Sequence, residues 1–310
     1  MSTDRGGMLV TLLPERRRFG RLRLDADIAR LLGRGDRLPD GEVGEQAQLA
    51  RHFQPVPNGW PMAALQRQAD CGDASGFRWL RADPVHVRPD INGARLMAWG
   101  NLDLDPAEAE ALLQALHPVF GDAGMPLTAG APERWYLQLA IDAPLPDFSP
   151  PEQGLGDDLF RHLPEGGQGR RWRALLNEAQ ILLHNHPINA ARAARGRLPA
   201  NSLWFWGAGV VPEEVRSRLS SVSSSENDVL ALATAAGIAV DGAGQGDRLL
   251  DLRRERDWRS VEGELSLAGR SEKFATHDSI VLDFADGARW RLRPAQRWRF
   301  WRRPMLELGA

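Results

Sequence analysis

From Arg170 to His184 the apolar side chains recur at helical intervals: Trp172, Leu175, Leu176, Ala179, Leu182 and Leu183 form one stripe. A stripe of that length commits the segment to an amphipathic helix with one face in a core. Pro187 breaks it and opens a second short helix that Gly196 stops. Ser202 to Trp206 then runs apolar and aromatic without interruption, the pattern of a buried strand. The Gly207-Ala208-Gly209 turn and Pro212 predict a further helix after it.

The same alternation extends along the chain. Met8 to Leu13 reads as a short apolar strand stopped by Pro14. Ile28, Leu31 and Leu32 line a short helix ending at Gly33 or Gly35. Val85 and Val87 alternate with His86 and Arg88, Pro89 to Gly93 is turn chemistry, and Arg95 to Trp99 is the return strand. Asp105-Pro106-Ala107-Glu108 is a capping box with proline at the first helical position. Trp135 to Ala140 is a further strand, and 142–156 a proline-rich long loop or linker. Ser225 to Asp228 offers a second capping box, 241–247 a flexible loop, and Ile280 to Leu292 a hairpin turning at Asp286-Gly287. The fold class expected is α/β, with a mixed sheet and flanking helices. The expected division is an N-terminal α/β segment 1–75, a central region 76–240, and a C-terminal segment 241–310 packing on the first.

Composition narrows the function classes. Hydrophobic residues are 43% of 310, enough for a core, and no run approaches the length of a membrane-spanning helix, about 18 residues. The first residues carry no apolar signal-peptide core. One cysteine, Cys71, fits a reducing compartment, so a cytoplasmic location is expected. A formal net charge of -2 argues against a general polyanion binder.

The stretch Leu183 to Gly209 is the most informative. His186, Pro187, Asn189, Arg192, Gly196, Pro199, Ala200, Asn201, Gly207 and Gly209 stand in it as they do in archaeal-type cofactor-independent phosphoglycerate mutases, which it resembles. The resemblance extends more weakly to Arg81–Leu116, Arg134–Leu137 and Asp228–Gly237, about half the chain. It implies a degenerate alkaline-phosphatase-superfamily-like architecture. The full length resembles a small group of bacterial proteins described as phosphoglycerate-mutase-like regulatory proteins. The mutases bind two divalent cations through dispersed Asp and His ligands and use a serine as phosphate acceptor. Where they have an early Asp-Gly after the first strand, this chain has Leu13-Pro14-Glu15. His277-Asp278 is the one adjacent His/Asp pair and falls in an expected polar turn. The seven histidines show no ligand spacing, so neither metal nor cofactor is expected.

Arg192, Asn189 and Asn201 form the candidate ligand-binding constellation, with His186 at the helix start and Gly207 and Gly209 after the strand. An arginine fork, two side-chain amides and free backbone amides suit a phosphate or carboxylate. The structural alternative is asparagines bonding loop backbone and an arginine on a helix face. Arg289 to Arg303 holds seven arginines and three tryptophans with no acid. It reads as a two-faced strand, Trp and Phe inward, and not as a nucleic-acid arm. No catalytic residue is assigned. The expected function is non-catalytic, binding or regulatory, toward a small anionic metabolite or a protein partner, with no nucleic acid and no membrane. The alternative is a phosphoryl-transfer enzyme, a mutase or phosphatase with an atypical site.

Overall fold

The computed structural model describes residues 7–90, 93–242, 246–269 and 277–309. It resolves into two compact units, one of Met1–Val56 with Glu214–Ala310 and one of Pro57–Glu213. The boundary expected near residue 75 therefore falls inside the second unit, and residues 214–240 go with the first.

The chain opens in the first unit with β1 (Gly7–Leu13), α1 (Ala26–Arg34), β2 (Asp36–Arg37), α2 (Glu45–Ala50) and β3 (Gln54–Val56). It crosses to the second unit for α3 (Met62–Cys71), β4 (Arg78–Asp90), β5 (Gly93–Trp99), α4 (Pro106–Asp122), β6 (Leu127–Ala131) and β7 (Arg134–Leu139). There follow the single turn α5 (Pro151–Gly154), then α6 (Gly166–His184), α7 (Pro187–Ala194) and β8 (Ser202–Gly209). The return to the first unit supplies β9 (Glu214–Arg216), β10 (Leu219–Ser223), α8 (Asn227–Ala235), β11 (Ala239–Val240), β12 (Asp247–Asp251), α9 (Trp258–Gly269), β13 (His277–Phe284) and β14 (Arg289–Leu292).

The first unit is built on a seven-stranded mixed sheet in the order β11-β10-β12-β1-β13-β14-β2. Its first five strands are parallel, and β14 and β2 add antiparallel to that edge. Residues 280–285 are buried in succession, as expected of a strand covered on both faces. Ile28 and Leu32 of α1 and Trp258 and Val261 of α9 close over Leu9, Leu13, Ile280, Leu282 and Phe284. Some features escape sequence reading. β12 begins inside the stretch expected to be loop, and its partners β10 and β1 are remote in sequence. His277 is likewise no turn residue: it is buried at the start of β13. Of the 241–247 loop, residues 243–245 lie outside the described residues, as do 91–92 of the β4–β5 turn.

The second unit centres on β4, which pairs antiparallel with β5, β7 and β8. α4 begins with the expected box: Asp105 accepts from the Glu108 amide at 2.8 Å and Glu108 accepts from the Asp105 amide at 3.3 Å. α3 is a further element not foreseen, ended by Gly72 in the left-handed region. α6 buries Trp172, Leu175, Leu176, Ala179 and Leu183, but Leu182 lies at 36% exposure, on the edge of the stripe. The box expected at Ser225–Asp228 does not form. Glu226 occupies the N-cap of α8, and its own amide donates to the Ser224 hydroxyl.

Candidate functional site

The α6–α7–β8 connection uses its polar residues internally. His186 caps α7, its ring Nδ1 accepting from the Ile188 amide at 3.3 Å. Asn189 donates to the carbonyls of Leu183 and Ala200 at 2.7 and 2.9 Å, and accepts from the Ala200 amide. Asn201 holds Val87 of β4 by both of that residue's backbone groups, at 2.8 and 2.9 Å. Arg192 is 0% exposed. Its guanidinium donates to the Glu108 carboxylate and to the carbonyls of Leu102, Asp103 and Leu198. Asp103 itself sits at φ 54, a left-handed conformation, and its carbonyl accepts from this arginine.

The expected convergence of Arg192, Asn189 and Asn201 on one anion is therefore corrected. Arg192 is wholly buried and bonded to a carboxylate and three backbone carbonyls, and both asparagines bond backbone, so the three side chains do not face one open anion site. The glycines are corrected too. Gly207 and Gly209 lie within β8, and β9 follows, so no helix N-terminus offers amides there. A Cβ on Gly209 would meet Pro61 at 2.4 Å, and Gly207, at φ 68, lies against Met62 and Ala63. These positions are glycine because the start of α3 approaches β8 too closely for a side chain. Behind them Asp83, wholly buried, accepts from Arg81, Trp99 and Trp206, each at 2.8 Å. His86, half-buried, is bonded to the Pro199 carbonyl at 2.9 Å, and burial pulls it below the ordinary histidine range.

A different cluster stands where an open parallel sheet ordinarily receives its ligand. β10 connects to β11 on one side, and β12 connects to β13 on the other. The crevice at the carboxyl ends of β10 and β12 is thus the topological switch point. Asp251 ends β12 there, and Ser224 follows β10. The crevice holds Arg253, 0% exposed. Its guanidinium donates to both oxygens of Asp251 at 2.9 Å, to both oxygens of Asp228 at 3.0 and 2.9 Å, and to Glu45 at 3.4 Å. Ser224 donates its hydroxyl to Asp251 at 2.8 Å. Arg254 beside it bridges Glu226 and Glu45 at 2.7 and 3.1 Å.

Electrostatics divide these carboxylates. Burial works to raise Asp251, but the hydrogen bonds and charge of Arg253 outweigh it and hold the group below the ordinary range. For Glu45 burial wins over Arg254 and Arg253, and the group is raised. At the neighbouring strand end, Asp283 of β13 is buried and bound by Arg51 at 2.9 and 2.6 Å, with His52 3.9 Å away. There too burial opposes ionisation, and His52, Arg51 and Arg289 outweigh it. Among the described residues no group of three or more His, Cys, Asp or Glu is arranged to hold a metal ion.

No family model matches the chain. A probable 2,3-bisphosphoglycerate-independent phosphoglycerate mutase of Geobacter sulfurreducens is 30% identical over 152 residues, 49% of this chain and 38% of that protein. The enzyme of that name from Methanosarcina barkeri is 29% identical over 139 residues, 43% of this chain and 35% of that protein. The likeness is to the cofactor-independent phosphoglycerate mutases. The chain matches well under half the length of either relative. Among solved structures, a cofactor-independent phosphoglycerate mutase from Thermoplasma acidophilum aligns over 93% of this chain and 89% of its own at 15% identity, TM-score 0.41. A Pyrococcus horikoshii protein aligns over 94% and 87% at 14% identity, TM-score 0.49.

The buried Arg253 cluster stands at residues that sequence reasoning passed over. The available signal was Leu249-Leu250-Asp251 followed by Arg253-Arg254: an apolar pair, an acid at the strand end, then two arginines. Chemically the cluster is an internal clamp. One guanidinium spans the acids of α2, α8 and β12 with a fork of donors that a point charge does not offer.

Proposed function

We propose that the chain is a non-catalytic phosphoglycerate-mutase-like protein with a binding or regulatory role, toward a small phosphorylated or carboxylate metabolite or a protein partner. One observation carries the reading. At the switch point of the sheet, the carboxylates Asp251 and Asp228 are both ion-paired to the buried Arg253 guanidinium. Phosphoryl transfer by a metal pair needs oxygen ligands free to face the cations. A guanidinium bonded along both oxygens of each acid leaves those ligands committed. Leu13-Pro14-Glu15 after β1 supports the same reading from the sequence. The lone cysteine, Cys71, supports a cytoplasmic location.

A second reading, a phosphoryl-transfer enzyme with an atypical site, is favoured by Ser224. Its hydroxyl donates to a carboxylate at the same crevice, the kind of pairing that readies an oxygen nucleophile. Interconversion of 3- and 2-phosphoglycerate, measured with magnesium or manganese, separates the two. Turnover at the level of the buffer blank is expected. Turnover abolished by a chelator and by Ser224→Ala would establish the enzyme. A thermal-shift screen with phosphorylated three-carbon acids then tests the metabolite role: a raised midpoint supports it, and none across the set directs the role to a protein partner.

A further inference from the structure

The segment after β14 does not fold as a two-faced strand. Trp290 is buried within β14, but Trp298, Phe300 and Trp301 are 65%, 78% and 69% exposed. Three large apolar side chains in water within one short segment are not demanded by any core, and exposed apolar surface of this kind marks places that meet something. The segment is a fixed platform. Arg34 donates to the Arg297 carbonyl at 2.9 Å, Arg299 donates to the Arg34 carbonyl and to Asp36, and the Met305 amide donates to the Ala29 carbonyl. Tied in this way along α1 and β2, it presents Phe300 against Trp301 edge to face, centroids 5.4 Å apart, as one compact apolar knob. Arg297, Arg302 and Arg303 flank these residues in sequence and are exposed. Between Asp286 and Glu307 the chain has no acidic residue.

We propose that this knob is a docking surface for an anionic lipid bilayer, on which the chain sits peripherally. Aromatic rings, tryptophan above all, settle at the headgroup level, with their apolar bodies inward and their polar edges wet. Arginines beside them meet lipid phosphates, and a negative leaflet adds attraction for each. No helix of the described residues is long and apolar enough to cross a membrane, and the contact proposed is one of surface. Other occupants fit less well. A two-fold interface between copies would set the arginines against each other with no acid between them. Stacking of single-stranded nucleic acid needs open, parallel ring faces. Here the Arg297 guanidinium covers one face of Trp298, 5.0 Å from its centroid, and the other two rings stand at 80° to each other.

The test is flotation of the full chain with vesicles of phosphatidylcholine alone and of phosphatidylcholine mixed with phosphatidylglycerol. Partition onto the mixed vesicles only, weakening as salt is added, is the expected result. Trp298→Ala, Phe300→Ala and Trp301→Ala together should abolish it while leaving the thermal midpoint unchanged, since none of the three is buried. Arg297→Gln with Arg303→Gln should lower the partition constant about thirtyfold at low salt. The proposal is overturned if the chain fails to float with the mixed vesicles at low salt, or if the aromatic variant floats as well as the parent. It is equally overturned if a dimer seen by sedimentation is lost in that variant, or if an oligothymidylate binds more tightly than vesicles and depends on the same residues.

Discussion

Arg253 lies two residues beyond Asp251 and binds both oxygens of its carboxylate, each at 2.9 Å, closing the end of β12 back on itself. The same guanidinium reaches Asp228 and Glu45, so it joins three elements by one buried charge. Arg253→Met should lower unfolding stability by about 3–5 kcal/mol, the usual result of removing one side of a buried pair. Arg253→Lys should not restore it, because an ammonium is a point charge and cannot span the acids of three elements. Urea denaturation of the two variants checks both statements.

Arg192 and Glu108 make the corresponding pair in the second unit. Arg192→Ala strands the carboxylate and the carbonyls of Leu102 and Leu198, and a loss of about 3–5 kcal/mol is expected. A double-mutant cycle with Glu108→Gln should show coupling between them. A stable Arg192→Ala protein with near-parental denaturation would mean that this pair does not stabilise the second unit.

Leu176 is 1% exposed on the buried face of α6, and Leu182 lies at that face's edge. Leu176→Ala should cost about 2–5 kcal/mol, the range for a leucine whose cavity cannot collapse fully. Leu182→Ala should cost well below that. Equal effects in thermal or chemical unfolding would mean the stripe is rotated from the face described.

Acid should destabilise the first unit in a definite window. Asp251 and Asp283 titrate lower when folded, so their contribution is complete above the unfolded Asp value of about 3.9 and is lost as pH falls through their folded values. Glu45 has the opposite sign. Its folded value is raised, so its contribution is present below the unfolded Glu value of about 4.3 and is lost as pH rises through the folded one. Stability measured against pH should therefore fall steeply below about 4. Just above that, Glu45→Gln should remove a decline with rising pH that the parent shows.

What the sequence determined by itself was local. The stripe of α6, the capping box of α4, the β13–β14 hairpin and the break at Pro187 each depend on residues a few positions apart, so periodicity and backbone chemistry suffice to read them. What only the tertiary structure decided was partnership. An arginine in a sequence names five donors but no acceptor. Parallel pairing of β12 with β10 and β1 brings residues 45, 228 and 251 to Arg253, and helix packing brings Glu108 to Arg192 across 84 residues. The same holds for the tryptophans. Strand pairing turns Trp290 inward, and the strand's end at Leu292 leaves Trp298 and Trp301 facing water, though all three lie in one arginine-rich run.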